Sequence, residues 1–196
     1  MKNAWTKIIS TACLLLLCFC VQAAEKRDDK NNREAFAQMV ALVESNLFYI
    51  ELTDAFPTGN SSVNIKTKYG TRTLGGEGHI SLIGNRGEIV MLDSVAVGRL
   101  PFFGRGYTLP YGGDGGIEFN RDKITGRSVK VVNKRKKQYL EYKFSVPVRN
   151  DTFNIYMEIY ANGTCTMNVT SNNRASISYS GTVTSIPEDK AKIYLK

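Results

Sequence analysis

The chain has 196 residues, 42% of them hydrophobic and 22% charged, with 17 Gly, 10 Tyr, 9 Phe and a single His. This composition excludes a disordered tail, a collagen-like chain, a coiled coil and a multi-pass membrane protein, and it suffices for one hydrophobic core. The formal charge of +8, from 26 basic and 18 acidic residues, raises nucleic-acid binding, a reading that depends on where the charge lies.

Met1 to Lys7 is a short basic start, Ile8 to Val21 is an apolar run, and Gln22-Ala23-Ala24 is a small-residue exit. This is the pattern of a secretory signal peptide, and the run is shorter than the roughly 20 residues a spanning helix needs. Residues 1–23 are therefore expected to be a signal peptide cut after Ala23. The product would be exported, periplasmic or at the cell surface, and not transmembrane once cut. Cys18 and Cys20 follow Leu17 and Phe19, which are too bulky for the small residue that precedes a lipidated cysteine, so no lipid anchor is expected. Of the four cysteines only Cys165 then remains, so no internal disulfide is expected. Cys165 shares strand parity with Met167 and Val169 and should point inward with them as an inert thiol.

Residues 24–32 read as a flexible leader and residues 33–196 as one β-rich domain. Asn31 and Glu34 have capping-box spacing, and Phe36, Val40, Val43 and Leu47 recur at helical spacing. One amphipathic helix is predicted from about Asn32 to Ser45. From Leu47 onward the apolar pattern has period two. It predicts strands at Leu47–Leu52, Val63–Tyr69, His79–Ile83, Glu88–Val97, Gly116–Phe119, Lys123–Val132, Gln138–Val146, Phe153–Ala161, Cys165–Val169 and Ala175–Thr184. Asn162-Gly163 predicts a hairpin with a type I′ turn, and Gly84–Gly87 and Asn133–Lys137 predict further turns. The expected fold is mainly β, an antiparallel sandwich or barrel of about ten strands with one N-terminal amphipathic helix.

The charge is local. Ten Lys and Arg lie between Arg121 and Arg149 against Asp122 and Glu141, centred on the basic patch Lys134, Arg135, Lys136 and Lys137. Tyr142 and Phe144 share parity with the core, so they make poor stacking platforms and no nucleic-acid partner is expected. A basic turn of this kind keeps a sheet edge from aggregating, and it also suits contact with an anionic surface such as lipopolysaccharide or an acidic glycan.

Leu100 to Ile117 is the unusual stretch, with Gly and aromatic residues at a density no strand or helix tolerates. Its spacing matches no phosphate-binding loop, and Asp114 is its one carboxylate, too few for a calcium turn. It reads as a loop capping one end of the β-fold or as the floor of a ligand pocket. Arg105, Tyr107, Tyr111 and Asp114, together with Arg174 in the later Ser171–Arg174 turn, are the candidate ligand-binding residues.

Leu100-Pro-Phe-Phe-Gly-Arg-Gly-Tyr107, Pro110-Tyr-Gly-Gly113, Gly116-Ile-Glu-Phe119 and Asn168–Gly181 together resemble the Bacteroidetes family called domain of unknown function 4251. Val43–Phe48 and Tyr160–Gly163 fit it as well, and the resemblance spans roughly residues 34–184. It implies an exported protein of one domain with no established activity. Asp93-Ser94-Val95 fits a short pattern similar to Bacteroidetes O-glycosylation sites.

With His79 alone, multi-histidine metal sites and a His-Glu-x-x-His motif are absent, and no Gly-x-Ser-x-Gly elbow partners that histidine. No catalytic residue, metal ligand or cofactor is expected, and His79 reads as a strand-edge residue. The functional expectation is a non-enzymatic exported domain that binds a small ligand, a glycan or an envelope partner. A hydrolase of envelope glycans, with a carboxylate pair that only geometry would reveal, and a purely structural envelope protein are the alternatives.

Overall fold

A computed structural model describes residues 31–58, 63–67, 70–74, 78–106, 115–134, 137–149 and 151–194. Helix α1 spans 31–44, one residue earlier at each end than its periodicity predicts. Phe36 and Val43 are buried, and Met39, Val40 and Leu42 pack beside them on the main core. Asn46 ends the helix in the left-handed region (φ 57), which asparagine tolerates. Its carbonyl then accepts the Asp93 N–H at 2.9 Å, so the turn out of α1 is fixed to the sheet.

The strands are β1 (Leu47–Pro57), β2 (Val63–Thr67), β3 (Gly70–Leu74), β4 (Ile80–Ser81), β5 (Gly87–Leu92) and β6 (Val95–Leu100), then β7 (Ile117–Lys123), β8 (Thr125–Lys134), β9 (Lys137–Val148), β10 (Asp151–Tyr160), β11 (Thr164–Thr170) and β12 (Ile177–Thr184). Ten form one antiparallel sheet in the order β7-β6-β5-β1-β12-β11-β10-β9-β8, with β4 paired to β1, while β2 and β3 form a separate hairpin. Three details correct the sequence reading. The stretch expected as one strand, Glu88–Val97, is two strands folded at Asp93 (φ 54) and Ser94. The Asn162-Gly163 turn is not type I′, because only Gly163 has positive φ (82) and the Tyr160 carbonyl accepts its N–H at 2.9 Å. That is a three-residue connection closed by a left-handed glycine. A second helix, α2 (Glu188–Tyr194), follows β12, where only strands were expected.

The sheet curls into a half-barrel, and the chain itself joins its two edges. β7 pairs with β6 and β8 pairs with β9, yet only Ile124 separates β7 from β8. Arg121 (φ 56) and Gly126 (φ 61) bend the backbone on either side, and the Ile124 N–H donates to the Ser94 carbonyl at 2.7 Å. The concave side holds the main core. Phe48 of β1 meets Tyr142 of β9 edge-on at 5.7 Å, and Phe119 of β7 meets Phe153 of β10 at 5.8 Å, so rings from strands that are not neighbours touch. Tyr142 has the one buried side-chain oxygen lacking a partner among the described residues, and burial pushes its phenol up to about 12. Cys165 points inward as predicted, is free, and its thiol is pushed by burial up to about 12.

Two glycines set how closely the strands approach. A Cβ on Gly98 would stand 2.1 Å from the Glu88 carbonyl oxygen, and one on Gly181 would stand 2.0 Å from that of Glu51. The convex face carries a second apolar cluster, Tyr49, Val90 and Leu92 with Val95 and Val97, covered by Ile186 and Tyr194 of the C-terminal segment. Lys190 of α2 forms an ion pair with Glu88 on β5, and the Arg121 guanidinium donates to the Tyr194 carbonyl at 2.6 Å.

Candidate functional site

At one end of the half-barrel, the stems of the Gly-rich loop meet the β11–β12 connection. Gly106 pairs with Arg174 in an isolated bridge, and the Ala175 N–H donates to the Arg105 carbonyl at 2.8 Å. The Arg174 guanidinium donates to the Gly115 carbonyl and lies 5.1 Å from the Phe102 ring centroid and 5.8 Å from that of Phe153. Arg174 thus holds both stems of the loop, and burial lowers its pKa. The buried Tyr179 hydroxyl donates to the Pro101 carbonyl at 2.8 Å, tying the same loop to β12. Arg105 itself is exposed. The structure therefore brings Arg105 and Arg174 together through the backbone, while Tyr107, Tyr111 and Asp114 lie outside the described residues.

A concave space open to solvent lies elsewhere. A groove of about 830 Å³ is lined by Asn32, Arg33 and Phe36 of α1, Asn133, Lys137 and Gln138 of the β8–β9 hairpin, and Tyr160, Ala161, Asn162 and Thr164 around the β10–β11 turn. Thr164 and Ser171 bracket β11, so this groove and the Arg174 cluster sit at opposite ends of that strand, roughly 20 Å apart at about 3.3 Å per residue. Asn162 Oδ1 accepts the Thr164 N–H at 3.1 Å and the Thr164 hydroxyl at 2.7 Å, fixing one wall. The Tyr160 hydroxyl donates to Glu158 at 3.3 Å and its ring lies 5.9 Å from that of Tyr139, which fixes the ring's position. Burial, then Glu158, raises the Tyr160 phenol above its ordinary value.

Of the basic patch, Lys137 lines the groove. Lys134 and Lys137 close the β8–β9 hairpin as a cross-strand pair, while Arg135 and Lys136 lie outside the described residues. β8 is the last strand of the sheet, so the charge concentrated between Arg121 and Arg149 sits largely on an edge hairpin. Among the described residues Arg33, Lys134 and Lys137 form no ion pair.

Glu141 and Glu158 face each other across β9 and β10 on the convex face, with the Tyr156 hydroxyl 3.4 Å from the first and 3.0 Å from the second. Lys143 lies 2.7 Å from Glu141 and holds its carboxyl below the ordinary value. His79, just before β4, is exposed and stacks on Phe56 at 5.1 Å. Its Nε2 is 2.8 Å from Asp54 Oδ1, whose other oxygen accepts the Thr53 hydroxyl at 2.7 Å. The hydroxyls reach the carboxylate rather than the imidazole, which is not the order a nucleophilic triad requires. Among the described residues no three His, Cys, Asp or Glu side chains are grouped to hold a metal ion, and no helix is long and apolar enough to cross a membrane.

The sequence profile of the domain of unknown function DUF4251 matches residues 30–183, which covers α1 and the curled sheet except for Thr184, the final residue of β12. The chain belongs to the DUF4251 family. A crystal structure of a DUF4251 family protein from Bacteroides eggerthii DSM 20697 is similar at 14% identity with a TM-score of 0.47, covering 78% of this chain and 88% of that one. No curated protein matches the chain. Both the groove and the Arg174 cluster fall inside the DUF4251 match, whereas α2 lies beyond it. The groove residues escape a linear reading because they come from three distant segments. The Asn162 turn and the Lys134–Lys137 tip do stand out separately, and in an antiparallel meander alternate turns share one end, which is the signal that could have joined them.

Proposed function

We propose that this DUF4251 domain is exported and acts without turnover, holding a polar, hydroxyl-rich ligand of glycan type in the groove between α1 and the two hairpin ends. The groove itself carries the reading. Its volume lies within the range of small-ligand sites, and its lining supplies the amides of Asn32, Asn133, Gln138 and Asn162 beside the fixed ring of Tyr160. Such a lining offers donors and acceptors to hydroxyl groups with little apolar wall. The basic start, apolar run and small-residue exit of residues 1–23 support export. At the other end, the engagement of Arg174 by Phe102, Phe153 and Gly115 supports a scaffolding role for the Gly-rich loop stems.

The hydrolase reading has one observation in its favour, the facing carboxylates Glu141 and Glu158. They lie on the convex face, and Lys143 lowers Glu141, opposite to the raised pKa a general acid needs. Thermal shift against a panel of oligosaccharides tests the choice. A ligand should raise the melting temperature of the native chain and lose at least about tenfold in affinity in Asn133→Ala/Gln138→Ala, two exposed sites outside the core. Reducing-end release abolished by Glu158→Gln would replace binding with hydrolysis.

A further inference from the structure

We infer that the saccharide held in this groove carries negative charge, as carboxylate or sulfate groups on its rings. The inference rests on the groove being the ligand seat and adds the class of ligand. Arg33 stands on the α1 wall and Lys137 on the hairpin wall, and Lys134 is the cross-strand partner of Lys137. Among the described residues none of those lining the groove is an Asp or Glu. Among the described residues these three cations have no carboxylate partner, unlike Lys143, which Glu141 neutralises, and Lys190, which Glu88 neutralises. Positive charge on two facing walls, with the Glu158 carboxylate beside Tyr160 already engaged by the Tyr156 and Tyr160 hydroxyls, attracts an anion into the space between them and orients it.

The rest of the lining decides what kind of anion. The amides of Asn32, Asn133 and Gln138 offer partners to several hydroxyl groups, which a bare inorganic ion or a fatty acid does not carry, while Asn162 Oδ1 is engaged by Thr164. Apolar lining is confined to Phe36 and Ala161 and the aromatic ring of Tyr160, too little for an acyl chain. A single-stranded nucleic acid stacks successive bases on several aromatic rings. Tyr160 is the one such half-exposed ring in the groove, placed to lie against the C–H face of a single sugar, and Phe36 is buried. The arrangement therefore suits an acidic oligosaccharide with charges on both sides of a central ring.

The test is calorimetric titration of the purified chain with three probes of matched length: an oligogalacturonate, a neutral cello-oligosaccharide and a single-stranded oligonucleotide. Arg33→Gln/Lys137→Gln is the groove variant, and Lys130→Gln, on β8 away from the groove lining, controls for general charge. The acidic probe should bind at least tenfold tighter than the neutral one, weaken by about tenfold or more in the groove variant, and lose affinity as salt rises. Lys130→Gln should change it by less than about twofold. Equal binding of the neutral probe, sensitive to Tyr160→Ala, would overturn the charge inference and leave the groove reading standing. Binding of neither saccharide would overturn both. Tighter binding of the oligonucleotide, or an equal loss in Lys130→Gln, would make the cations a diffuse basic surface and refute the inference. Melting temperatures within about 2 °C of the native chain verify that the variants remain folded, as expected for exposed side chains.

Discussion

Arg174→Ala removes three interactions at once from the loop end of the half-barrel. The guanidinium lies 5.1 Å from the Phe102 centroid and 5.8 Å from that of Phe153, each contact worth about 0.5–1 kcal/mol, more where water is excluded. It also donates to the Gly115 carbonyl, a bond from a charged donor worth about 1.5 kcal/mol or more. Against these stands the cost of taking the charge partly out of water, which the lowered pKa reports. The net loss expected is therefore about 2 kcal/mol, below the simple sum. Arg174→Lys keeps the charge but loses the flat surface that covers both rings, so it should fall between the native chain and Arg174→Ala. Arg105→Ala should cost less than about 0.5 kcal/mol, because its side chain is exposed and its contact with Ala175 is made by the backbone carbonyl. Urea unfolding followed by far-UV circular dichroism measures all three at unchanged slope. If Arg174→Ala matches the native chain within 0.5 kcal/mol, the clasp does not stabilise the fold and the residue is free for a ligand.

Two further outcomes follow from packing and charge. Gly181→Ala puts a methyl 2.0 Å from the Glu51 carbonyl oxygen and should destabilise the chain by about 3 kcal/mol or more, since β1 must separate from β12; a melting temperature within a few degrees of native would show that the strands can part at little cost. The α2 latch should be pH-dependent at both ends. Burial raises the Glu88 carboxyl, but the bonds from Lys190 and Tyr49 outweigh it and hold it below its ordinary 4.5, so its contribution is present above that value and lost as pH falls through the lower folded pKa. Lys190 is raised above its ordinary 10.5, chiefly by the same bond, so its contribution is full below that value and lost as pH rises through the higher folded pKa. Protection of the 188–194 amides, taken relative to their intrinsic exchange rate at each pH, should therefore fall in acid before that of the strands, and Glu88→Gln should remove that step; unchanged protection between pH 6 and 3 would refute the latch.

Most of the sheet was legible because one face of each strand packs on the core, which imposes period two. Leu140, Tyr142, Phe144 and Val146 are all buried inward on β9, as their alternation requires. The fold at Asp93-Ser94 was not legible, because apolar residues flank it on both strands and no Gly or Pro marks the turn; its backbone strain is absorbed by Asp93 alone. Helix α2 carries no fully buried residue, so it lacks an apolar stripe, although Pro187 followed by Glu188 and Asp189 is a helix-start signal that stood in the sequence. The sequence marks Arg174 and Arg105 as polar residues beside the Gly-rich loop, and the contacts of the Arg174 guanidinium with two aromatic rings and a carbonyl are visible only in the fold.

By itself the sequence determined the strand periodicity, the inward Cys165, the position of the charge and the family, since each depends on neighbours along the chain. Tertiary structure decided the rest. The choice of a curled sheet over a sandwich comes from the bend at Ile124, which lets one segment serve both edges of the sheet. The basic hairpin becomes the wall of a polar groove only because alternate turns of the meander converge on α1. Such convergence depends on contacts between residues far apart in sequence, and no local propensity encodes it.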